Sequence, residues 1–273
     1  MININLKDYS ISNNSQFILI AGPCVIENES HSLMIAEELC KICDDVGINL
    51  IFKSSFDKAN RSSIKSDRGI KLDDALKIFE KIKTNFNLPI LTDVHNEEQC
   101  NQLKKDSIID IIQIPAFLCR QTDLLKAAAA TGKVVNIKKG QFLAPWDMKN
   151  VVKKLESFGC KRILLTDRGT QFGYNNLIAD MRSIPLMKDY GYPVIFDCTH
   201  SVQLPGGNGT FSSGMRNMIP TLSKAAVAAG CDGIFMEVHD NVKDAKSDSA
   251  TQWPLDRFES LAKKLIEIRR VVK

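Results

Sequence analysis

Ile48-Asn49-Leu50-Ile51-Phe52-Lys53-Ser54-Ser55-Phe56-Asp57-Lys58-Ala59-Asn60-Arg61-Ser62-Ser63 is an apolar run that ends abruptly in three cations, an amide and several hydroxyls. The apolar half reads as a buried strand. The polar half offers the charge-assisted donors that a phosphate or carboxylate needs, with Ser and Asn to fill the remaining lone pairs, and it reads as a substrate-binding loop. Leu72 to Thr84 then shows the apolar spacing of an amphipathic helix. Strand, polar loop and helix make one unit, and the rest of the chain repeats it.

Eight strands are predicted to begin near Phe17, Asn49, Pro89, Ile108, Val134, Arg162, Pro193 and Gly233. Helices are expected over Ser32 to Val46, Leu72 to Thr84, Glu97 to Lys104, Gln121 to Thr131, Trp146 to Phe158, Leu177 to Tyr190 and Met215 to Ala229. An eighth follows Pro254, with Leu255, Phe258, Leu261, Leu265, Ile268 and Val272 on one stripe. Strands alternating with helices argue for a parallel sheet, and eight units in one chain argue for a closed (β/α)8 TIM barrel. An open doubly wound sheet competes, but no G-x-G-x-x-G follows the first strand and no linker divides the chain. The expectation is one α/β domain over residues 1–273, preceded by a short N-terminal β-hairpin. Pro205-Gly206-Gly207-Asn208-Gly209-Thr210 lacks the spacing of a phosphate loop and reads as a mobile lid or flexible loop.

The chain has 273 residues, 44% hydrophobic and 25% charged, the profile of a globular protein with a substantial core. A net charge of +4 without a long basic run argues against nucleic acid and favours small acidic ligands. The N-terminus has no basic flank or continuous apolar stretch, and no segment is long enough to span a bilayer, so neither export nor membrane is expected and the protein is read as cytoplasmic. Its eight cysteines follow no framework spacing and read as buried thiols in a reducing compartment. Cys40 and Cys43 form a lone C-x-x-C on one face of a helix, which is core packing.

In a parallel barrel the chemistry sits at the carboxyl ends of the strands. Those ends carry Cys24, Lys53, Asp93 and His95, Gln113, Lys138 and Lys139, Asp167 and Arg168, Asp197 and His200, and Glu237 with His239. Strands seven, eight and one are neighbours once the ring closes. They bring together His200, Glu237 and Cys24, and Asp248 follows eleven residues after Glu237. A thiolate, an imidazole and two carboxylates suit Zn, Fe(II), Mn or Co better than Ca or Mg. On spacing alone the same four are also a buried Cys, a capping His and two solvated acids. Lys53, Lys58, Arg61, Lys138 and Arg168 surround the same mouth, more positive charge than one phosphate monoester requires. Two anionic substrates, or one carrying both phosphate and carboxylate, are implied. Asp93 and Gln113 are left to orient hydroxyls or a carbonyl.

Gly22-Pro23-Cys24 with Glu27, Lys53 to Ser62, Gln113 to Leu118, Asn136 to Phe142, Asp167-Arg168-Gly169 with Phe172-Gly173-Tyr174, Asp197 to Gln203, and Phe235-Met236-Glu237 through Asp248 together resemble the 3-deoxy-D-manno-octulosonate 8-phosphate synthase family over nearly the whole chain. The resemblance implies condensation of phosphoenolpyruvate with D-arabinose 5-phosphate and water, on the route to the lipopolysaccharide inner core. It implies that Lys58, Ala116 through its backbone, Lys138 and Arg168 hold phosphoenolpyruvate. Asn60, Arg61 and Ser62 would hold the sugar phosphate, and Lys53, Asp93, Gln113, Lys138 and His200 would form the reacting centre. The family has a metal-requiring branch with Cys in the first loop and a metal-free branch with Asn there; Cys24 is the residue of the first. Homotetramers are usual in the family.

Two other reaction classes compete. The sister enzyme using erythrose 4-phosphate resembles this family in fold and metal set but usually shows Lys-Pro-Arg-Thr where Lys58-Ala59-Asn60-Arg61-Ser62 stands here. Lys138 at a strand end also suits a Schiff-base lysine of a sugar-phosphate aldolase. A non-catalytic binding barrel is a third reading, and it leaves the metal set without a purpose.

Overall fold

In a computed structural model, described over residues 3–6, 9–12, 16–61, 63–206 and 213–272, the eight apolar runs are parallel strands: β1 (Ile18–Gly22), β2 (Asn49–Lys53), β3 (Ile90–Asp93), β4 (Ile111–Ile114), β5 (Val134–Lys138), β6 (Ile163–Asp167), β7 (Val194–Asp197) and β8 (Gly233–His239). Each pairs with the next, and β8 pairs with both β7 and β1, so the sheet closes into a barrel. Outside it lie α1 (Glu29–Val46), α2 (Leu72–Phe86), α3 (Glu97–Lys104), α4 (Thr122–Ala130), α5 (Met148–Ser157), α6 (Ser183–Lys188), α7 (Ile219–Ala228) and α8 (Phe258–Val272). Among the described residues, no helix is long and apolar enough to cross a membrane.

Side chains alternate across each strand, and the two faces carry two separate cores. Ile18, Ile20, Ile51, Leu91, Ile111, Val134, Leu164, Ile195 and Phe235 fill the barrel, while Leu19, Ala21, Leu50, Phe52, Ile112 and their counterparts pack under the helices. The N-terminal strands Ile4–Leu6 and Tyr9–Ile11 form the expected antiparallel hairpin. Ile4, Leu6 and Ile11 join the inner cluster, and Arg162, just before β6, donates to the carbonyl of Asn5. The hairpin therefore plugs the amino-terminal end.

The same period of two decides what reaches the other end. Stepping by two from the inner apolar layer leads from Ile51 to Lys53, Leu91 to Asp93, Ile111 to Gln113, Val134 to Asn136 and Lys138, Ile195 to Asp197, and Phe235 to Glu237. One barrel thus has an oily floor and a charged mouth. At β1, Gly22 keeps the chain close to β2, because a Cβ there would lie 2.1 Å from the carbonyl oxygen of Lys53. That contact lets Pro23 and Cys24 turn over Lys53.

The sixth unit departs from its expected helix over 177–190. Leu177–Ile178 instead pairs antiparallel with Thr170–Gln171, and the helix covers only Ser183–Lys188. Pro185 is the reason: a helix running through it from Leu177 would lose a hydrogen bond and clash in mid-helix, whereas a start at Ser183 puts Pro in the first turn. Of the glycine-rich stretch after β7, Pro205 and Gly206 are described, and residues 207–210 lie outside the described residues. All eight cysteines are free thiols, with Cys43 in the core and Cys40 partly buried against it.

Candidate active site

Within the mouth, a row of hydrogen bonds first fixes the floor. Thr166 Oγ1 donates to Asn136 Oδ1 at 2.6 Å, and Asn136 Nδ2 donates to Gln113 Oε1 at 3.0 Å, joining β6, β5 and β4. Above this row opens a cavity of about 820 Å³, large enough for two small phosphate esters together. Lys53, Lys58, Asp93, Gln113, Lys138 and Arg168 all line it, as do Asn60, Arg61, Ala116, His200, Glu237 and Asp248. Ser62 lies outside the described residues.

Cys24, His200, Glu237 and Asp248 meet on one wall. Asp248 Oδ2 is 3.3 Å from Cys24 Sγ and 3.4 Å from His200 Nε2, and His200 Nε2 is 3.7 Å from Glu237 Oε2. Ligands about 2.0–2.3 Å from one tetrahedral ion stand roughly 3.3–3.7 Å apart, so the spacing suits a shared cation. Glu237 Oε2 adds a direct observation, because it is buried with no hydrogen-bond partner. Such an orphan is costly unless something positive faces it. The donors therefore fit a divalent metal of borderline softness. Asp248 sits at φ +46°, an uncommon conformation for a residue with a side chain, in the loop that carries its carboxylate to the cluster.

Burial first, then the nearby Glu237, push the Cys24 thiol well up, and it donates towards Ser247 Oγ at 3.0 Å and Asp248. A bound cation reverses that preference. Burial opposes charging of His200, but Asp197 and Glu237 outweigh it and raise its pKa. Asp197 Oδ2 lies 2.8 Å from His200 Nδ1, which leaves Nε2 directed at the carboxylates. A carboxylate so placed fixes the ring as it would an imidazole ligand.

The cations border the same cluster, with Lys58 Nζ 3.8 Å from Glu237 Oε1. Lys138 Nζ donates to Asp197 and lies 3.2 Å from the centroid of the Phe235 ring. Burial lowers its pKa to about 8, with Asp197 offsetting part of the effect. Lys58 is partly buried, and its desolvation opposes the charge, but the carboxylates of Glu237, Asp93 and Asp248 outweigh it and raise its pKa. Arg168 donates to Gln203 Oε1 at 2.6 Å. Lys53 differs from these: its Nζ is 2.5 Å from Glu237 Oε1 and 3.0 Å from the carbonyl of Cys24, so it braces the Cys-Glu wall. Asp93 accepts from His95, and its Oδ1 is buried without a partner.

Three strand-end residues face elsewhere. Lys139 and Asp167 are one position out of step with Lys138 and Arg168, so alternation turns them away from the mouth. Lys139 Nζ is 3.4 Å from Asp167 and bonds Leu143 O, Gly169 O and Thr170 Oγ1, tying down the loops after β5 and β6. His239 contacts Glu27. Gln252 had no signal in the sequence: its Oε1 accepts from the Cys24 backbone N–H at 3.1 Å while its Nε2 donates to Ser247 O at 2.8 Å. It fastens the first loop to the Asp248 loop.

A family model described as the DAHP synthetase I family matches residues 1–273. Proteins named 2-dehydro-3-deoxyphosphooctonate aldolase are similar over almost their full length. The one from Rickettsia typhi (strain ATCC VR-144 / Wilmington) is 54% identical over 270 residues, 99% of this chain and 98% of its own. That from Rickettsia bellii (strain OSU 85-389) is 56% identical over 270 residues, with the same coverage. The Geobacter sp. (strain M21) protein is 55% identical over 269 residues, 98% of each chain.

Proposed function

The chain belongs to the DAHP synthetase I family, among its 2-dehydro-3-deoxyphosphooctonate aldolases, and from that premise we infer that its reaction runs in the cavity at the barrel mouth. The enzyme condenses phosphoenolpyruvate with D-arabinose 5-phosphate and water to give 3-deoxy-D-manno-octulosonate 8-phosphate and phosphate. The observation that carries the assignment of the site is one cavity lined by the cations Lys53, Lys58, Lys138 and Arg168 together with His200, Glu237 and Asp248.

Carbon three of the enol attacks the aldehyde carbon, forming the new bond, while water adds to carbon two. The resulting hemiketal phosphate breaks its C–O bond, releasing phosphate and leaving the ketone. In this reading Lys58, Lys138, Arg168 and the Ala116 backbone hold the carboxylate and phosphate of phosphoenolpyruvate. Fixed cations in a cavity with little water stabilise the charge that shifts between carbon two and the leaving phosphate. Asn60, Arg61 and Ser62 hold the phosphate of the sugar, and Asp93 and Gln113 orient its hydroxyls and aldehyde. Asp197 holds Nδ1 of His200 and anchors Lys138. A divalent metal of the Zn, Fe(II), Mn or Co class, held by Cys24, His200, Glu237 and Asp248, supplies Lewis acidity to a carbonyl or water oxygen when bound.

Phe117, Trp146, Phe172 and Tyr174, on the loops after β4, β5 and β6, are all more than half exposed. Apolar surface of that kind supports a homo-oligomer, for which the reading is a tetramer working in the cytoplasm on the lipopolysaccharide route. Phosphate release tests the assignment. Arabinose 5-phosphate should support turnover and erythrose 4-phosphate should not, and chelation should abolish the activity. Equal turnover of the two sugars would overturn the substrate assignment, and full turnover after chelation the metal.

A further inference from the structure

Beyond the end of β8, outside the reaction cavity, His239 meets Glu27 from the segment after β1 and His31 from the first turn of α1. One ligand atom from each of the three lies within 4.8 Å of the other two. Glu27 Oε1 is 3.2 Å from His239 Nε2, and the two imidazole rings are 4.6 Å apart between centroids. All three side chains are largely buried, at 13%, 11% and 5% exposure for Glu27, His31 and His239. Ligands about 2.1 Å from one tetrahedral ion stand roughly 3.4 Å apart, so contraction by at most about 1.4 Å closes the set.

The surrounding hydrogen bonds select which nitrogens are available. Asp240 Oδ1 lies 3.0 Å from His31 Nε2 and 3.1 Å from His239 Nδ1. A carboxylate oxygen only accepts, so a proton on His31 Nε2 leaves the lone pair on His31 Nδ1. His31 Nδ1 is buried with no hydrogen-bond partner. His239 Nε2 faces Glu27. His239 Nδ1 accepts from the backbone N–H of Asn241 at 3.0 Å, so in the metal-free protein its proton is on Nε2 and is donated to Glu27. Metal capture would move that proton to Nδ1, where Asp240 accepts it. Two imidazoles sharing an outer carboxylate, with a third ligand from Glu27, form an N2O set with its supporting shell in place.

We propose that Glu27, His31 and His239 form a second divalent-metal site of the Zn(II) or Co(II) class, separate from the cluster at Cys24. Its two sides belong to the segments that carry the first cluster's outer ligands. Glu27 and His31 follow Cys24, while His239 leads into the loop bearing Asp248, and Glu27 Oε1 already accepts from the Lys246 backbone N–H at 2.9 Å. A metal here ties the first loop to the Asp248 loop without touching substrate. Its role is structural.

Equilibrium dialysis of the metal-stripped full chain against micromolar cobalt(II), with elemental analysis and absorption spectra, tests this. The wild type should take up two equivalents per chain, with cobalt–thiolate charge-transfer absorption accounting for only one. His31→Gln and His239→Gln should each take up one equivalent and keep that absorption, so a folding defect in either variant does not decide the matter. Cys24→Ser should take up one equivalent without it. Saturation of the wild type at a single thiolate-bearing equivalent, or two equivalents retained in both histidine variants, overturns the second site. Absence of thiolate absorption in the wild type instead counts against the site at Cys24, so the two failures are distinguishable.

Discussion

Lys53 Nζ stands 2.5 Å from Oε1 of Glu237, and both side chains are almost wholly buried. The partnership is needed because Glu237 is held ionised at the centre of the barrel: burial opposes its charge, and Lys53, His200 and Lys58 overcome that opposition and depress its pKa. Lys58 stands further off, at 3.8 Å. Removing one partner of a buried pair strands the other charge, at a cost of about 3–5 kcal/mol, whereas removing both costs much less. Lys53→Met should therefore destabilise the metal-free protein by about that amount in urea denaturation, and Lys53→Met with Glu237→Gln should recover most of the loss. A single-variant loss below about 1 kcal/mol would mean that the pair behaves like an exposed one.

Lys138 predicts opposite pH trends for stability and activity. Its native pKa is lowered to about 8, chiefly by burial, while an unfolded chain holds a lysine proton to about 10.4. Between those values the unfolded state binds more protons at this group, so its contribution to stability rises with pH. The ammonium proposed to receive phosphoenolpyruvate is lost over the same range. A plot of kcat/KM for phosphoenolpyruvate should thus fall with an alkaline limb near pH 8 that Lys138→Arg removes. An unchanged limb in that variant would assign the titration to another group.

Arg61 separates the two substrates. Its Nε and one terminal nitrogen bond the carbonyls of Asp67 and Lys246, which fixes the guanidinium at the rim of the cavity rather than at its floor. Arg61→Ala should raise KM for arabinose 5-phosphate by about tenfold to a hundredfold, the loss of one charge-assisted contact, and change KM for phosphoenolpyruvate far less. Equal increases for both substrates would count against the sugar-phosphate role.

What the sequence discloses here follows from the period of the strands. Lys53, Asp93, Gln113, Lys138 and Glu237 are legible because each continues an inward stripe begun by an apolar residue two or more positions earlier. Lys139 and Asp167 look equivalent at the level of strand ends, and they separate from the site only when that parity is applied. Closure of the ring also makes the set of Cys24, His200 and Glu237 readable, since it joins strands distant in the chain. Gln252 was not legible, because its role depends on how the loop after β8 folds back onto Cys24, which no periodicity encodes. The short α6 was missed for a different reason: apolar spacing suggested a longer helix, and the constraint from Pro185 was the stronger signal.

The remaining prediction concerns Cys24, the thiol of the proposed metal cluster. Without a cation its thiol is held neutral by burial and by Glu237, so binding a metal must displace a proton. Metal affinity should therefore weaken as pH falls, and it should weaken sharply when the sulfur is replaced. Chelation of the wild type should abolish turnover, and Zn, Fe(II), Mn or Co should restore it to differing degrees. Cys24→Asn is the sharper probe, because the buried cations Lys53, Lys138 and Arg168 remain and the backbone anchor from Gln252 does not involve the side chain. Elemental analysis should find that variant without metal at the Cys24 cluster. Any turnover it retains should be insensitive to chelator and measures what the cations contribute by themselves. Full wild-type turnover after exhaustive chelation, with no metal found in the protein, would show that Cys24, His200, Glu237 and Asp248 are a hydrogen-bonded cluster and nothing more.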